Sequence, residues 1–335
     1  MAPRIFERLP PMEKNGNQFT RDMTLNKCEC CGGDNLRRVS HKRGYDIEMC
    51  ADCGLYFVSP QPSDKELEER YSTTQGYFAT AQTDLSQIPG DKVQRLHDLI
   101  CSFGVKSGKF LDIGCANGQI LYGMKKLGWS VTGNDLNDGA LEIARSHQLN
   151  VIHGTLEQCN FENGTFDAIN IGDLIEHVRS PRRLMTEVYR ILRPGGVVVI
   201  RTPNAESGLA KTSLALSRLT GFPWVHSEAP YHLFDFSPRT LSKLLGDIGF
   251  DTESVKCQGS GSFFYLVGAS GYFDDLKRDL KRSGSYRLNH GVWRTVPKLM
   301  FVSAVIFPLW LWGKARDRIL NSGRSMLVVA KKPAW

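Results

Sequence analysis

The run from Lys109 to Leu121, Lys-Phe-Leu-Asp-Ile-Gly-Cys-Ala-Asn-Gly-Gln-Ile-Leu, constrains this chain more than any other stretch. A strand-like start, Lys109 to Ile113, meets a turn of small residues from Gly114 to Gly118, and a helical pattern begins at Gln119. Such a turn lets backbone N–H groups approach a ligand closely and sets a helix N-terminus beside it. In a doubly wound sheet this is the nucleotide-binding corner. Twenty-one residues after Gly114 comes Asp135, at the end of the next strand-like run. A carboxylate at that distance can accept both hydroxyls of a ribose.

The rest of the pattern agrees with that corner. Strands are expected at 109–113, 130–134, 150–153, 166–171 and 196–201, and helices at 118–127, 138–147, 181–192 and 238–248. This alternation predicts a mostly parallel sheet covered on both faces. Pro194-Gly-Gly196 should break the chain before a buried strand, and 251–258 with 325–331 should close the sheet. Val93, Leu96, Leu99, Ile100 and Phe103 mark an amphipathic helix over 91–103. Ser63 to Tyr71 reads as a charged helix and 79–90 as a polar linker.

The turn has the form D-I-G-x-x-x-G, whereas a nicotinamide site would read G-x-G-x-x-G after an uncharged strand. Further matches follow in order: Gly154-Thr-Leu-Glu-Gln158, Thr165-Phe-Asp-Ala-Ile-Asn170, Asp173-Leu-Ile-Glu-His-Val178, Leu192-Arg-Pro-Gly-Gly196, Arg201-Thr-Pro-Asn204 and Tyr231-His-Leu-Phe-Asp-Phe-Ser237. Together they resemble the class I S-adenosylmethionine-dependent methyltransferases over roughly residues 70–268 and 325–333. The resemblance implies an α/β, Rossmann-like doubly wound fold with a seven-stranded, mostly parallel sheet. It also implies that Asp112, Gly114 and Gly118 hold the methionine end of the cofactor, with Cys115 and Asp173 among the other cofactor-binding residues. Asp135 and Leu136 would hold the ribose and adenine edge, and Thr155 and Leu156 would lie near the adenine. Ala116 replaces a glycine common in that family, and Thr155 replaces an aspartate.

Cys28-x2-Cys31 and Cys50-x2-Cys53 are 18 residues apart, a spacing that fits a structural four-thiolate zinc ribbon. Gly32 and Gly54 follow each pair and permit the knuckle turn, while Cys30 is left over. Similar ribbons precede bacterial methyltransferases that resemble those acting on sugars, polysaccharides and small metabolites. Cys101, Cys115, Cys159 and Cys257 sit singly and read as small buried side chains. Nine cysteines and an N-terminus without an apolar run predict a reducing, cytoplasmic setting. The expected organisation is a tail at 1–25, the ribbon at 26–62, the cofactor-binding domain at 63–268 and 323–335, and a basic, apolar helical insertion at 269–322.

Charge is uneven. Residues 271–335 carry 13 Lys and Arg against 4 Asp and Glu, while the first 270 residues carry 29 against 31. A near-neutral body argues against a broad nucleic-acid groove. Within the basic part, Leu299 to Trp312 is apolar, bracketed by cations, and shorter than the ~20 residues needed to span a bilayer. A peripheral contact of residues 296–318 with anionic lipid, at the inner face of the membrane, and a lid or dimer surface both account for it.

Methyl transfer needs a nucleophile aligned with a sulfonium carbon and, for a hydroxyl, a base. Asp173, Glu176 and His177 follow the fourth strand at i, i+3 and i+4, and would share a face if helical. Three roles compete. Glu176 and His177 order the pocket; His177 or His232 is a general base; or Asp173, Glu176, His177 and His232 bind a divalent metal that positions a diol. The expected activity is O-methylation of a small acceptor, such as a sugar, saccharide or isoprenoid-like, lipid-linked molecule. Sugar C-methylation, RNA methylation and a non-catalytic cofactor-binding scaffold are the alternatives.

Overall fold

The computed structural model describes residues 24–63, 66–67, 85, 90–220, 224, 226–259, 307–320 and 322–334. Most of the expected tail, the helix over 63–71, the linker and the first part of the insertion lie outside them. The main sheet has seven strands in the order β10-β11-β8-β7-β4-β5-β6. These are β4 (Lys109–Ile113), β5 (Ser130–Asp135), β6 (Val151–His153), β7 (Phe166–Gly172), β8 (Leu192–Pro203), β10 (Asp251–Gln258) and β11 (Ser325–Lys331). The first five run parallel, and β11 is antiparallel to both β8 and β10. The order reverses between β4 and β7, so the crevice at their carboxyl ends is the topological switch point.

Helices cover the sheet: α1 (Gly90–Ser102), α2 (Gln119–Lys126), α3 (Asp138–Ser146), α4 (Pro181–Ile191) and α6 (Pro238–Ile248). Val93 and Ile100 of α1 are buried in one apolar cluster with Phe110, Leu121, Met124, Val197 and Val199. Leu184, Val188, Leu241 and Leu244 pack on the opposite face with Leu111, Ile169, Val198 and Ile200. Consecutive β8 residues Val197, Val198 and Val199 alternate between these two cores, which is why the strand reads as an unbroken apolar run. The Pro-Gly-Gly run does not precede β8, as its composition suggested. It forms an irregularity within the strand, where pairing with β7 jumps from Leu192 to Val197.

A second sheet has the order β1-β2-β3-β9, from β1 (Leu36–Lys42), β2 (Tyr45–Cys50), β3 (Tyr56–Ser59) and β9 (Phe234–Asp235). The cysteine-bearing segment therefore does not complete its own sheet; a strand from beyond β8 does so. Alternation splits the faces: Phe57 joins the main core, while Tyr45, Ile47 and Val58 pack with Trp224, Ala210 and Leu214. Ala210 and Leu214 belong to α5 (Gly208–Thr220), a helix outside the expected set. α7 (Phe307–Leu320) lies against α5, and Asp317 of α7 accepts from the Gly208 N–H at 2.5 Å, capping an orphan donor of the first turn. No helix among the described residues is long and apolar enough to cross a membrane.

Candidate active site

The turn after β4 is shaped by three positive-φ residues, Gly114 at 72°, Ala116 at 49° and Gly118 at 81°. A Cβ on Gly118 would come 2.6 Å from a methyl of Leu149 and 3.0 Å from the Cβ of Ala144, so this glycine is needed for space as well as conformation. Ala116 has no such relief. It holds a left-handed conformation that costs an L-residue about 1–2 kcal/mol, the physical reason a glycine is common there.

Asp135 ends β5 and closes the turn. Its Oδ2 accepts from the Ala116 N–H at 2.8 Å and its Oδ1 from the Asn137 N–H at 2.8 Å. Each oxygen keeps a second lone pair, so the carboxylate is held in one orientation and can still accept two hydroxyls. Leu136 beside it is 54% exposed, an apolar surface suited to the face of a purine. Thr155 is exposed near the start of a 3-10 turn, with Gln158 bonded to its backbone. Leu156 turns its side chain into the main core, and Cys115 buries its thiol. Cys101, Cys159 and Cys257, read as buried from sequence, are half-buried instead.

At the other end of the crevice Asp112 is buried and accepts from the Asn170 amide at 2.7 Å. Burial pushes its carboxyl up to about 7, against the opposing pull of that hydrogen bond. Asp173 pairs with Arg201, and Lys92 of α1 feels Arg201, Asp173 and Asp112. This end thus presents carboxylates and cations together, matching the zwitterionic end of an amino acid. Asn170, Arg201 and Lys92 were not singled out from the sequence; each is an ordinary polar residue until the fold brings it to the crevice.

The Asp173-x-x-Glu-His segment is a turn, not a helix. Asp173 has φ 53° and points to Arg201, so it does not share a face with Glu176 and His177. Glu176, His177 and His232 do converge, with one potential ligand atom from each lying within 4.8 Å of the others. The His177 and His232 rings meet edge to face at 4.8 Å. Glu176 is buried, accepts from the Thr202 hydroxyl at 2.9 Å, and is pushed up to about 8 by burial and by Asp173. His177 places Nδ1 2.9 Å from the Tyr231 carbonyl, which fixes the Nδ1–H tautomer and leaves the lone pair on Nε2. His232 buries Nδ1 without a hydrogen-bond partner, and burial lowers its pKa to about 3.

The four ribbon cysteines also converge. Cys28 and Cys53 sulfurs lie 3.5 Å apart, as do those of Cys31 and Cys50, and all four fall within 4.8 Å of one another. Four thiols at such separations suit one tetrahedral zinc with Zn–S bonds of about 2.3 Å. Cys30 is not one of the four, and its thiol donates to the Thr240 carbonyl of α6 at 3.2 Å.

The family model "Methyltransferase domain" matches residues 81–255, more than half of the chain. The chain belongs to this family. Its methyltransferase domain contains every crevice residue named above, Asp112, Asp135, Asp173, Glu176, His177 and His232 included. Similar curated proteins include a ubiquinone biosynthesis O-methyltransferase of Alkalilimnicola ehrlichii, 32% identical over 31% of this chain and 45% of the relative. One from Dinoroseobacter shibae is 30% identical over 45% of this chain and 63% of the relative. The match therefore spans about half the length of such relatives. Among solved structures, a SAM-dependent methyltransferase from Archaeoglobus fulgidus aligns over 81% of this chain and 100% of its own, at 18% identity and a TM-score of 0.45. A methyltransferase from Bacillus halodurans aligns over 73% and 99%, at 15% identity and 0.46.

Proposed function

We propose that this methyltransferase moves a methyl group from S-adenosylmethionine to a hydroxyl of a small acceptor. The observation that carries the reading is Asp135, oriented by two backbone N–H groups at the switch point beside the Gly114–Gly118 turn. Asp135 and Leu136 would hold the adenosyl end, with Thr155 and the Leu156 backbone near the base. The turn, Asp112 and Asp173 would hold the amino-acid end, with Lys92 and Arg201 available to its carboxylate. When bound, the cofactor supplies a sulfonium methyl, an electrophile that needs only an aligned nucleophile. His177 would be the base that takes the acceptor proton, while the bound cofactor would supply the methyl group. His232, held neutral by burial, orients His177 through the ring contact.

A second reading is favoured by the convergence of Glu176, His177 and His232, a carboxylate and two imidazoles able to hold a divalent ion. Such an ion would act as a Lewis acid on a diol or phenol. Asp173 would stand outside that set because of Arg201. The curated relatives are named for O-methylation in ubiquinone biosynthesis, which supports an isoprenoid-like or phenolic acceptor and an O-nucleophile over a sugar carbon. A sugar or saccharide hydroxyl is the other acceptor class. We also assign zinc to Cys28, Cys31, Cys50 and Cys53, and a peripheral lipid contact to residues 296–318, where Leu311 and Trp312 are exposed on α7.

The test is methyl release from labelled S-adenosylmethionine against a panel of phenolic polyprenols, nucleotide sugars and RNA, in wild type and His177→Ala. Transfer to a small hydroxyl compound, lost at least a hundredfold in His177→Ala, supports the reading. Undiminished turnover in that variant rejects His177 as base. Loss of turnover in excess chelator, with ribbon zinc still bound, favours the divalent ion. Sedimentation with anionic liposomes tests the lipid contact; equal recovery with and without residues 296–318 defeats it.

A further inference from the structure

Lys42, the last residue of β1, is only 6% exposed. Lysines are seldom buried without partners, because the ammonium loses its water. Here Nζ donates to the carbonyls of Ser227 at 2.5 Å and Trp224 at 3.3 Å. Glu228 and Asp235 lie near enough to favour its charge, against burial. Every one of these partners belongs to the stretch 224–235, which leads directly to His232.

That stretch is gripped again at its far end. The Val58 N–H of β3 donates to the Leu233 carbonyl at 2.9 Å, and β9 pairs with Tyr56 and Phe57. The Leu233 and Phe234 N–H groups both donate to the Glu176 carbonyl, at 2.8 and 3.1 Å. His232 therefore sits between two attachments to the cysteine-bearing sheet and one to the turn that carries His177. Its ring has no hydrogen-bond partner at Nδ1, and its Nε2 stands 3.9 Å from Glu228. The ring is buried against His177 with Nδ1 unbonded, so no hydrogen bond at Nδ1 holds it and its position follows the backbone that carries it.

We propose that Lys42 is a positioning residue for the acceptor side of the active site: it holds the backbone at Trp224 and Ser227, and through Ser227 holds His232 against His177. The cysteine ribbon is then a working wall of the acceptor pocket. This rests on the reading that His177 and His232 serve methyl transfer. None of the bonds made by Lys42 reaches Asp112, Asp135 or the Gly114–Gly118 turn, so donor binding should be indifferent to it.

The test compares full-length wild type, Lys42→Met and Lys42→Arg. Histidine-labelled protein is followed by NMR, with the His232 ring signal assigned from His232→Ala. Donor affinity is measured by calorimetry, and kinetics use whichever panel acceptor the wild type methylates. Lys42→Met should shift the His232 signal and raise the acceptor KM about tenfold, with donor affinity within twofold. Lys42→Arg should return both values at least halfway. An unmoved His232 signal, or donor affinity falling in step with acceptor KM, overturns the proposal. Should Lys42→Met fail to fold, Lys42→Gln carries the same readouts; if neither folds, Lys42 is a fold residue and the proposal fails. The NMR arm needs no acceptor, so an inactive wild type would reject the methyl-transfer reading while leaving the Lys42–His232 link separately measurable.

Discussion

The turn after β4 sets two neighbouring small residues against each other. Gly118 is hemmed in by Leu149 and Ala144 at φ 81°, while Ala116 is strained at φ 49°. Gly118→Ala should destabilise the chain by about 1–3 kcal/mol and weaken cofactor binding. Ala116→Gly should leave stability within about 1 kcal/mol and keep binding intact, since relieved strain offsets added unfolded-state freedom. Thermal melts with and without S-adenosylmethionine check both. Asp112 gives a pH signature. Burial raises its carboxyl to about 7, so near neutrality a good part of the protein carries a proton there. A cofactor ammonium favours the ionised form, so binding should release that proton and affinity should rise as pH climbs through 7. Calorimetry in buffers of differing ionisation heat reads the proton release directly, and Asp112→Asn should abolish it. The pattern D-I-G-x-x-x-G was legible as a motif because turn, spacing and acid are local in sequence. The left-handed φ at Ala116 was hinted at only by the glycine it replaces, since the conformation is held by the bond of its N–H to Asp135 at the end of β5.

At the scale of elements, the parallel strands were readable as short apolar runs bounded by turns, and the helices from their alternation with those runs, with ends within a few residues. Asp173, Glu176 and His177 would share a face if helical, but they lie on a turn. Spacing of i, i+3 and i+4 describes a helix only where the backbone continues one, and Asp173 at φ 53° cannot start it. β9 escaped notice for a different reason: two residues, Phe234–Asp235, have no periodicity to read, and their role depends on pairing with Tyr56 and Phe57. That pairing makes a prediction about the ribbon. Arg239 donates to the Cys53 carbonyl at 2.8 Å, Arg182 to Glu29 and Cys30, and Ser180 to Glu29 at 2.6 Å. With the ribbon bonded to α4, α6 and β9, zinc removal should not give a separate low-temperature melt. Chelation or Cys50→Ser should instead lower the single transition of the whole chain, because structural zinc contributes on the order of 10 kcal/mol to folding its site. Scanning calorimetry reads this; an unshifted main transition beside a lost minor one would show an independent ribbon.

Over the whole molecule, two sheets carry the residues of the candidate site. The seven-stranded sheet brings Asp112 and Asp135 to the switch point, and the four-stranded sheet takes up Phe234–Asp235, just after His232, as its last strand. The first half was legible in the sequence because all its parts follow β4, β5 and β7 in order. Of the second, His232 was legible in its motif but Lys42 was not, because Lys42 is 190 residues away in sequence and reaches this region through the Trp224 and Ser227 carbonyls. The account stands on the grip of Asp135, which is measured most directly by calorimetric titration of S-adenosylmethionine into wild type, Asp135→Asn and Asp135→Ala. Two charge-assisted hydrogen bonds lost together should weaken binding by about 2–4 kcal/mol in Asp135→Ala, with Asp135→Asn between. A folded Asp135→Ala protein that binds the cofactor as tightly as wild type, or a wild type that does not bind it, would contradict the account.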